Sequence, residues 1–459
     1  MVSTQSSKQQ DQHDHYRRYR SRFYIIMVCI FISYASLVVG RRAFAFCKPA
    51  MLQMEDLDET NLGWITSGFY LTYAISKCFA GIIADSFSSR LFYPVCLFVS
   101  SIFCAAFAMS TQFYQLVLFW SLEGLIQGFA WPTCGKLLMH WCQSDELATW
   151  WSFLSGSSNV SGLISPILLP IIINSYGWRW CFYGTTLLLV MAAVLNFVCL
   201  VDSPIDIGLS QYDGVIQRQP NVSQKNKNNE PKKNQDELDD QINWLHIVVY
   251  DPLPNFLHLS YMICTFLEKS LIDWTQLYLM QDKNYTEVSA AAAIGSFDIG
   301  GITGTLIAGY ISDSLLNWRR KDRSEPLSAS DRVFFTMFIA GICFIAFLIL
   351  LLQPSNADMV IVHVSLFFLG CTICGIISLL GVVSMESVPA SIAGRSHTVL
   401  TLFGNIGGIS SGYPVSLVIK MFGWTQVIRL FTGLALVQVC CMLIYLIIKN
   451  NRTKKIKQA

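Results

Sequence analysis

Ala80-Gly81-Ile82-Ile83-Ala84-Asp85 closes one long apolar run, and Ala308-Gly309-Tyr310-Ile311-Ser312-Asp313 closes another. Basic residues follow each hexad, Arg90 in the first case and Arg319-Arg320-Lys321 in the second. They end the second and the eighth of twelve apolar stretches, so they occupy equivalent places in two halves. The stretches fall at about 23–45, 63–84, 91–110, 113–138, 150–173, 181–201, 256–280, 289–311, 333–352, 359–384, 396–419 and 424–448. Each is long enough to cross a bilayer, and none alternates as a barrel strand does. Backbone polar groups in lipid must be satisfied within a segment, so the runs are predicted to be helices. The expected fold is an all-α polytopic membrane protein of two six-helix bundles, with a ligand site between them.

Composition points the same way. The 459 residues are 53% hydrophobic and 14% charged, with 30 Phe, 12 Trp and 18 Tyr. A soluble protein carries roughly 25% charged residues, and this many aromatics could not be wrapped in water without large apolar patches. The formal net charge of +2 excludes a basic nucleic-acid binder. The fifteen cysteines lie mostly inside apolar runs and form no zinc spacing or disulfide framework. No Walker loop, GxSxG or HExxH is present, so neither an enzyme nor a cofactor is expected.

Orientation is read from Lys and Arg. Five basic residues fall in each of four segments: the N-tail 1–22, the polar stretch 202–245, the loop 312–332 and the C-tail 449–459. The alternate loops hold only Lys48, Arg179, Lys283 and Lys420. The positive-inside rule then places both termini in the cytosol. Domain organisation is expected as an N-tail 1–22, a bundle 23–201, a flexible cytosolic linker 202–245, a bundle 246–448 and a C-tail 449–459. Gly124xxxGly128, Gly300xxxGly304, Gly404xxxGly408 and Gly408xxxGly412 are expected to pack helices closely.

Gly81-x-x-x-Asp85 with Arg90 resembles the loop motif of the major facilitator superfamily, with fewer basic residues than usual after the aspartate. Further motifs are Gly40-Arg41-Arg42-Ala43-Phe44-Ala45-Phe46, Gly63-Trp64-Ile65-Thr66-Ser67 and Tyr73-Ala74-Ile75-Ser76-Lys77. They continue with Gly124-Leu125-Ile126-Gln127-Gly128-Phe129-Ala130-Trp131-Pro132, Thr149-Trp150-Trp151, Asp273-Trp274 and Ser396-His397. Together, over about 20–450, they resemble the organophosphate:phosphate antiporters, most closely those of the animal endoplasmic reticulum that carry glucose 6-phosphate. The resemblance implies exchange of a sugar phosphate for inorganic phosphate across a lipid bilayer.

It also implies residue roles. Arg41 matches a basic residue on the first helix that contacts the substrate phosphate; its other reading is snorkelling to headgroups. Its neighbour Arg42 is expected to serve structure. Lys77 matches a lysine facing the cavity in bacterial members, and Tyr73, one turn earlier, shares its face. The family's second basic residue falls at Glu268 here, followed by Lys269. Lys269 either substitutes for it or pairs with Glu268 or Asp273. His397 matches a histidine of the animal carriers and is titratable near neutrality. Where bacterial members have a histidine and an asparagine, the fifth span has Ser158 and Asn159. Structural or gating roles are expected for Asp85, Arg90, Asp273, Asp298 and Asp313. Lys455 and Lys457, fifth and third from the end, resemble a di-lysine retrieval signal read by coat proteins. Open alternatives are glycerol 3-phosphate as the main substrate, a proton-coupled organic-anion carrier using Asp298 or Glu123, and a transporter-like sensor.

Overall fold

The computed structural model describes residues 2–209 apart from 55 and 143–145, and 248–458 apart from 249, 323–328, 355–357 and 390–391; side chains are described within 16–451, with further exceptions that include Asp85 and Asp313. The helices are α1 (Val2–Met51), α2 (Glu59–Ser86), α3 (Ser89–Met109), α4 (Phe113–Trp141), α5 (Leu147–Tyr176) and α6 (Trp178–Cys199). A short 3₁₀ turn follows at Pro204–Ile207. The second half contributes α7 (Pro252–Gln281), α8 (Glu287–Asp322), α9 (Ala329–Leu352), α10 (Met359–Glu386), α11 (Ala393–Ser410), α12 (Tyr413–Phe422) and α13 (Trp424–Gln458). α11 and α12 are two pieces of one span, which gives the expected twelve. No strand occurs among the described residues.

Several helices outrun their apolar segments. α1 begins at Val2 rather than near 23, α8 continues past Asp313 to Asp322, and α13 continues to Gln458. These extensions are rich in Gln, Lys and Arg and contain no Gly or Pro. Such residues propagate a helix once the membrane-bound part has nucleated it. Beyond 209, the expected linker lies outside the described residues.

Among the described residues, nine spans are long and apolar enough to cross a membrane. α2, α4 and α7 are not among them. They are the helices that carry Lys77, Glu123 and the Glu268/Lys269/Asp273 set. Outward faces are apolar, as lipid requires. On α6, Leu187, Met191, Val194 and Val198 are exposed, while Leu189, Ala192, Ala193 and Asn196 are buried.

The chain separates into two compact units, Met1–Cys47 with Leu71–Lys227, and Lys48–Tyr70 with Asn228–Ala459. The first unit is built on Phe23, Ile26, Met27 and Ile30 of α1 packed with Leu137, Leu138 and Trp141 of α4 and with Leu189 of α6. At one end of this core the Tyr19 hydroxyl donates to the Trp141 carbonyl, and Arg20 forks onto Glu146. The Arg20 guanidinium holds the Glu146 carboxyl below its ordinary range. Toward the other end, Phe44, Phe107, Trp120 and Phe182 form an aromatic cluster, with centroids 4.7 Å apart for Phe107–Phe182.

The second unit is organised by glycines. A Cβ on Gly300 would fall 2.1 Å from the Phe367 carbonyl oxygen, and one on Gly304 2.0 Å from that of Cys371. α8 and α10 therefore touch backbone to backbone. On α11, Gly407 meets the α7 backbone at Met262, and Gly404 makes room for the side chains of Tyr261 and Thr265.

The eleventh span, expected as one helix, is broken at Ser411-Gly412. Pro414 follows at the start of α12 and cannot donate to the preceding turn. The freed backbone groups are recaptured by side chains. Ser67 Oγ accepts from the Tyr413 amide (2.8 Å) and donates to the Ile409 carbonyl (2.7 Å). The Trp274 indole N–H donates to the Ser411 carbonyl at 2.8 Å. Trp64 stacks on Tyr413 with centroids 4.2 Å apart. The approach demands glycine on both sides: a Cβ on Gly412 would lie 2.7 Å from the Gly63 carbonyl oxygen, and one on Gly63 2.1 Å from Ser416 Oγ. Two stretches read from the sequence, 63–67 and 273–274, thus converge on one helix break, and this packing is why 48–70 belongs to the second unit.

Ser67→Ala should destabilise the protein by about 1–3 kcal/mol, since it leaves a part-buried amide and carbonyl unpaired. Gly412→Ala should do more harm, because backbone must move. Thermal unfolding in detergent would measure both; an unchanged midpoint for Gly412→Ala would contradict the packing.

Candidate anion site on the first unit

Arg41 stands near the end of α1's apolar run; a charge at the centre of a span costs about 2.5–3.5 kcal/mol on insertion scales, and less toward its ends. α4 supplies compensation. Gln127 Oε1 accepts from Arg41 Nε at 3.1 Å and from Nη2 at 2.9 Å. Gln127 Nε2 in turn donates to Glu123 Oε1 at 2.8 Å. The guanidinium carbon lies 5.0 Å from the Tyr73 ring centroid, and Tyr34 is within hydrogen-bonding reach of Arg41. Lys77 Nζ lies 4.6 Å from the same Tyr73 ring. One tyrosine thus bears two cations, each within cation–π range. Gly128 makes the arrangement possible: a Cβ there would fall 1.7 Å from Ser76 Oγ and 2.9 Å from the Tyr73 carbonyl. Lys77 is exposed, and Arg41 and Tyr73 are half-buried, so this cationic patch faces open space.

The second unit holds the other candidates. Lys269 pairs with Glu268 at 3.0 Å and not with Asp273. Asp273 is buried and accepts from the Tyr70 hydroxyl at 3.1 Å. His397 is half-buried on α11, beside Gly381, and its Nδ1 finds no partner among the described residues. Asp298 is buried on α8. Arg42 is half-buried. Ser158 Oγ donates to the Ser155 carbonyl of its own helix.

The loop after α2 is tied down by residues the sequence did not single out. Asp202 accepts from the Arg90 amide (2.8 Å) and from Ser88 Oγ, and Lys136 donates to the Phe87 carbonyl at 3.0 Å. In the second half Arg332 bridges Glu386 (2.9 Å) and Ser312 Oγ (2.8 Å). The side chains of Asp85 and Asp313 lie outside the described residues.

Two residues change meaning. Gln127, inside the Gly124–Pro132 motif, is the direct partner of Arg41. Its spacing of four from Glu123 was the available signal. Lys48, counted as a loop residue, is fully buried at the end of α1, with Nζ 3.9 Å from the Trp274 centroid. Among the described residues no cluster of His, Cys, Asp and Glu could hold a metal ion.

The chain belongs to the Major Facilitator Superfamily, whose family model matches residues 27–412. It is 28% identical over 413 residues to a probable hexose phosphate transport protein of Chlamydia pneumoniae, covering 89% of this chain and 87% of that one. It is also 28% identical to the membrane sensor protein UhpC of Salmonella typhimurium, over 90% and 89% of the two chains. Identity to the hexose-6-phosphate:phosphate antiporter of the same organism is 24%, over 94% and 92%. Among solved structures, an inward-facing bacterial homologue of the lysosomal transporter Spinster superposes with a TM-score of 0.68 at 14% identity, over 93% and 95% of the chains. The fold is that of a twelve-helix major facilitator, and the relatives' names match the organophosphate:phosphate antiporter resemblance read from the motifs.

Gln127→Leu removes the acceptor of two Arg41 hydrogen bonds. Modification of Arg41 by an arginine-directed dicarbonyl, followed by mass spectrometry, should quicken by roughly tenfold, about 1.4 kcal/mol. An unchanged rate would mean that Gln127 does not hold the guanidinium.

Proposed function

We propose that this protein exchanges a sugar phosphate for inorganic phosphate across a membrane by alternating access. The observation that carries the reading is the Arg41–Tyr73–Lys77 patch, two cations fixed on one ring at family-matching positions. Glu268 neutralises Lys269, so the second unit adds no net charge there. A phosphate monoester brings about −1.5 to −2 charges at neutral pH, close to what Arg41 and Lys77 balance. An empty site would carry unbalanced cations into a low-dielectric closed state, which is costly. Closure with either anion bound is cheaper, and the result is exchange. Arg41 presents a fork suited to phosphate oxygens, Lys77 a point charge, and Tyr73 a platform that orients both.

Glucose 6-phosphate is our preferred organic substrate. The patch reads phosphate rather than sugar, so glycerol 3-phosphate is the competing choice. A sensor reading is favoured by the similarity to membrane sensor proteins. We place the protein in the endoplasmic reticulum with both termini cytosolic, on the basic loops and on Lys455 and Lys457, which coat proteins would recognise.

Proteoliposomes loaded with phosphate should take up glucose 6-phosphate, and phosphate-free ones should not. Arg41→Ala should lower uptake ~10- to 100-fold, the equivalent of about 1.5–3 kcal/mol for a hydrogen bond to a charged group. Uptake indifferent to internal phosphate would refute exchange; no flux with any phosphate ester would favour the sensor. In cells, Lys455→Ala with Lys457→Ala should release the protein from the endoplasmic reticulum to later membranes, and unchanged residence there would refute the retrieval reading.

A further inference from the structure

Glu123 is not used by the exchange described above, yet it is joined to the site. It lies on α4, 2% exposed, in a helix whose neighbouring faces are packed. Its Oε1 accepts from Ser100 Oγ at 2.5 Å and from Gln127 Nε2 at 2.8 Å. Its Oε2 is equally buried and has no hydrogen-bond partner among the described residues. Through Gln127 the carboxyl is one hydrogen-bonded step from the Arg41 guanidinium.

A bare carboxylate oxygen in a dry interior is expensive to leave unpaired. A proton on the carboxyl removes that charge, while Arg41, Ser100 and Gln127 favour the ionised form. The group is therefore held between two states by opposing neighbours. From α1 the charged neighbour is Arg41, and α3 contributes the uncharged Ser100 hydroxyl and the neutral Cys104 thiol. α2, brought against α4 at Gly128, carries Lys77 with Tyr73 between it and Arg41. α5 carries no acidic or basic residue.

We propose that Glu123 is a positioning residue that carries a proton and so sets the charge of the anion the site accepts. This rests on the phosphate-exchange reading. With Glu123 neutral, Arg41 and Lys77 supply two positive charges and balance a phosphate dianion. With Glu123 ionised, the set supplies one, and balances a monoanion. The proton comes from bulk solvent and stays on the carboxyl. No bond other than that to the proton forms or breaks. In both cases the loaded site is neutral, so a dianion travels with one proton and a monoanion with none.

The test uses the full-length purified protein in weakly buffered detergent, with monofluorophosphate, a dianion near neutral pH, and inorganic phosphate as probes. A pH-indicator dye reads proton uptake on binding, and competition against labelled phosphate reads affinity. The wild type should take up as much as about one proton per monofluorophosphate bound. Its affinity should fall by up to about tenfold per pH unit on the alkaline side. Glu123→Gln should bind it with no proton uptake and with an affinity flat in pH, at the acid limit of the wild type. Ser100→Ala, which removes a hydrogen bond to the ionised form, should shift the midpoint of the wild-type profile to higher pH. This variant keeps the test open if Glu123→Gln fails to fold. Wild-type binding without proton uptake anywhere between about pH 5 and 9 would overturn the proposal, as would a Glu123→Gln profile or a Ser100→Ala midpoint equal to that of the wild type. A protein that binds neither anion would overturn the phosphate reading as well.

Discussion

A guanidinium cannot be left bare inside a membrane span, and most of what is distinctive in the first unit follows from how Arg41 is accommodated. Gln127 accepts two of its N–H groups, Tyr73 offers a ring face, and Glu123 stands one hydrogen bond behind Gln127. These partners lie on α2 and α4, and bringing those helices close enough requires Gly128. The same approach sets Lys77 within cation–π range of the Tyr73 ring. Compensation for one half-buried charge therefore builds a patch with two cations, and of the helices that carry it α2 and α4 are less apolar than α1.

The second unit solves a different problem. Its eleventh span breaks before Pro414, and a broken helix in lipid must have its backbone groups satisfied by neighbours. Ser67 and Trp274 do this, and Gly63 and Gly412 allow the contact. The segment 48–70 is thereby held to the second-half helices, with Asp58 bonded to Lys420 at 2.6 Å and Lys48 set over Trp274. Residues that serve as family markers in the sequence are in these cases caps for a helix break.

Spans, repeat and loop charges were legible because they depend on local composition: about 20 apolar residues make a span wherever they occur. Small-residue spacing also announced the close helix contacts at Gly128, Gly300, Gly304 and Gly404. Other features depend on distant residues and left no local trace. Lys48 looks like a loop lysine until Trp274, 226 positions later, is seen to cover it. The break at Ser411-Gly412 lies inside a stretch long enough to read as one span, and its local signals are Ser410-Ser411-Gly412 and Pro414. Helix ends were missed in one direction, outward, because polar residues without Gly or Pro extend a helix that the membrane has already formed. At the site, Arg41, Tyr73 and Lys77 were found by family position. Gln127 carries no charge that would mark it in the sequence, although a half-buried arginine needs neutral acceptors as much as carboxylates.

The central claim is that Arg41 and Lys77 act together on one phosphate. A double-mutant cycle on equilibrium binding of labelled phosphate tests it most directly, using Arg41→Ala, Lys77→Ala and the double variant in purified protein. Shared action predicts that either single substitution removes most of the affinity and that the second removes little more, a coupling of about 0.5–3 kcal/mol. Strictly additive losses, or phosphate binding untouched by both, would contradict the account.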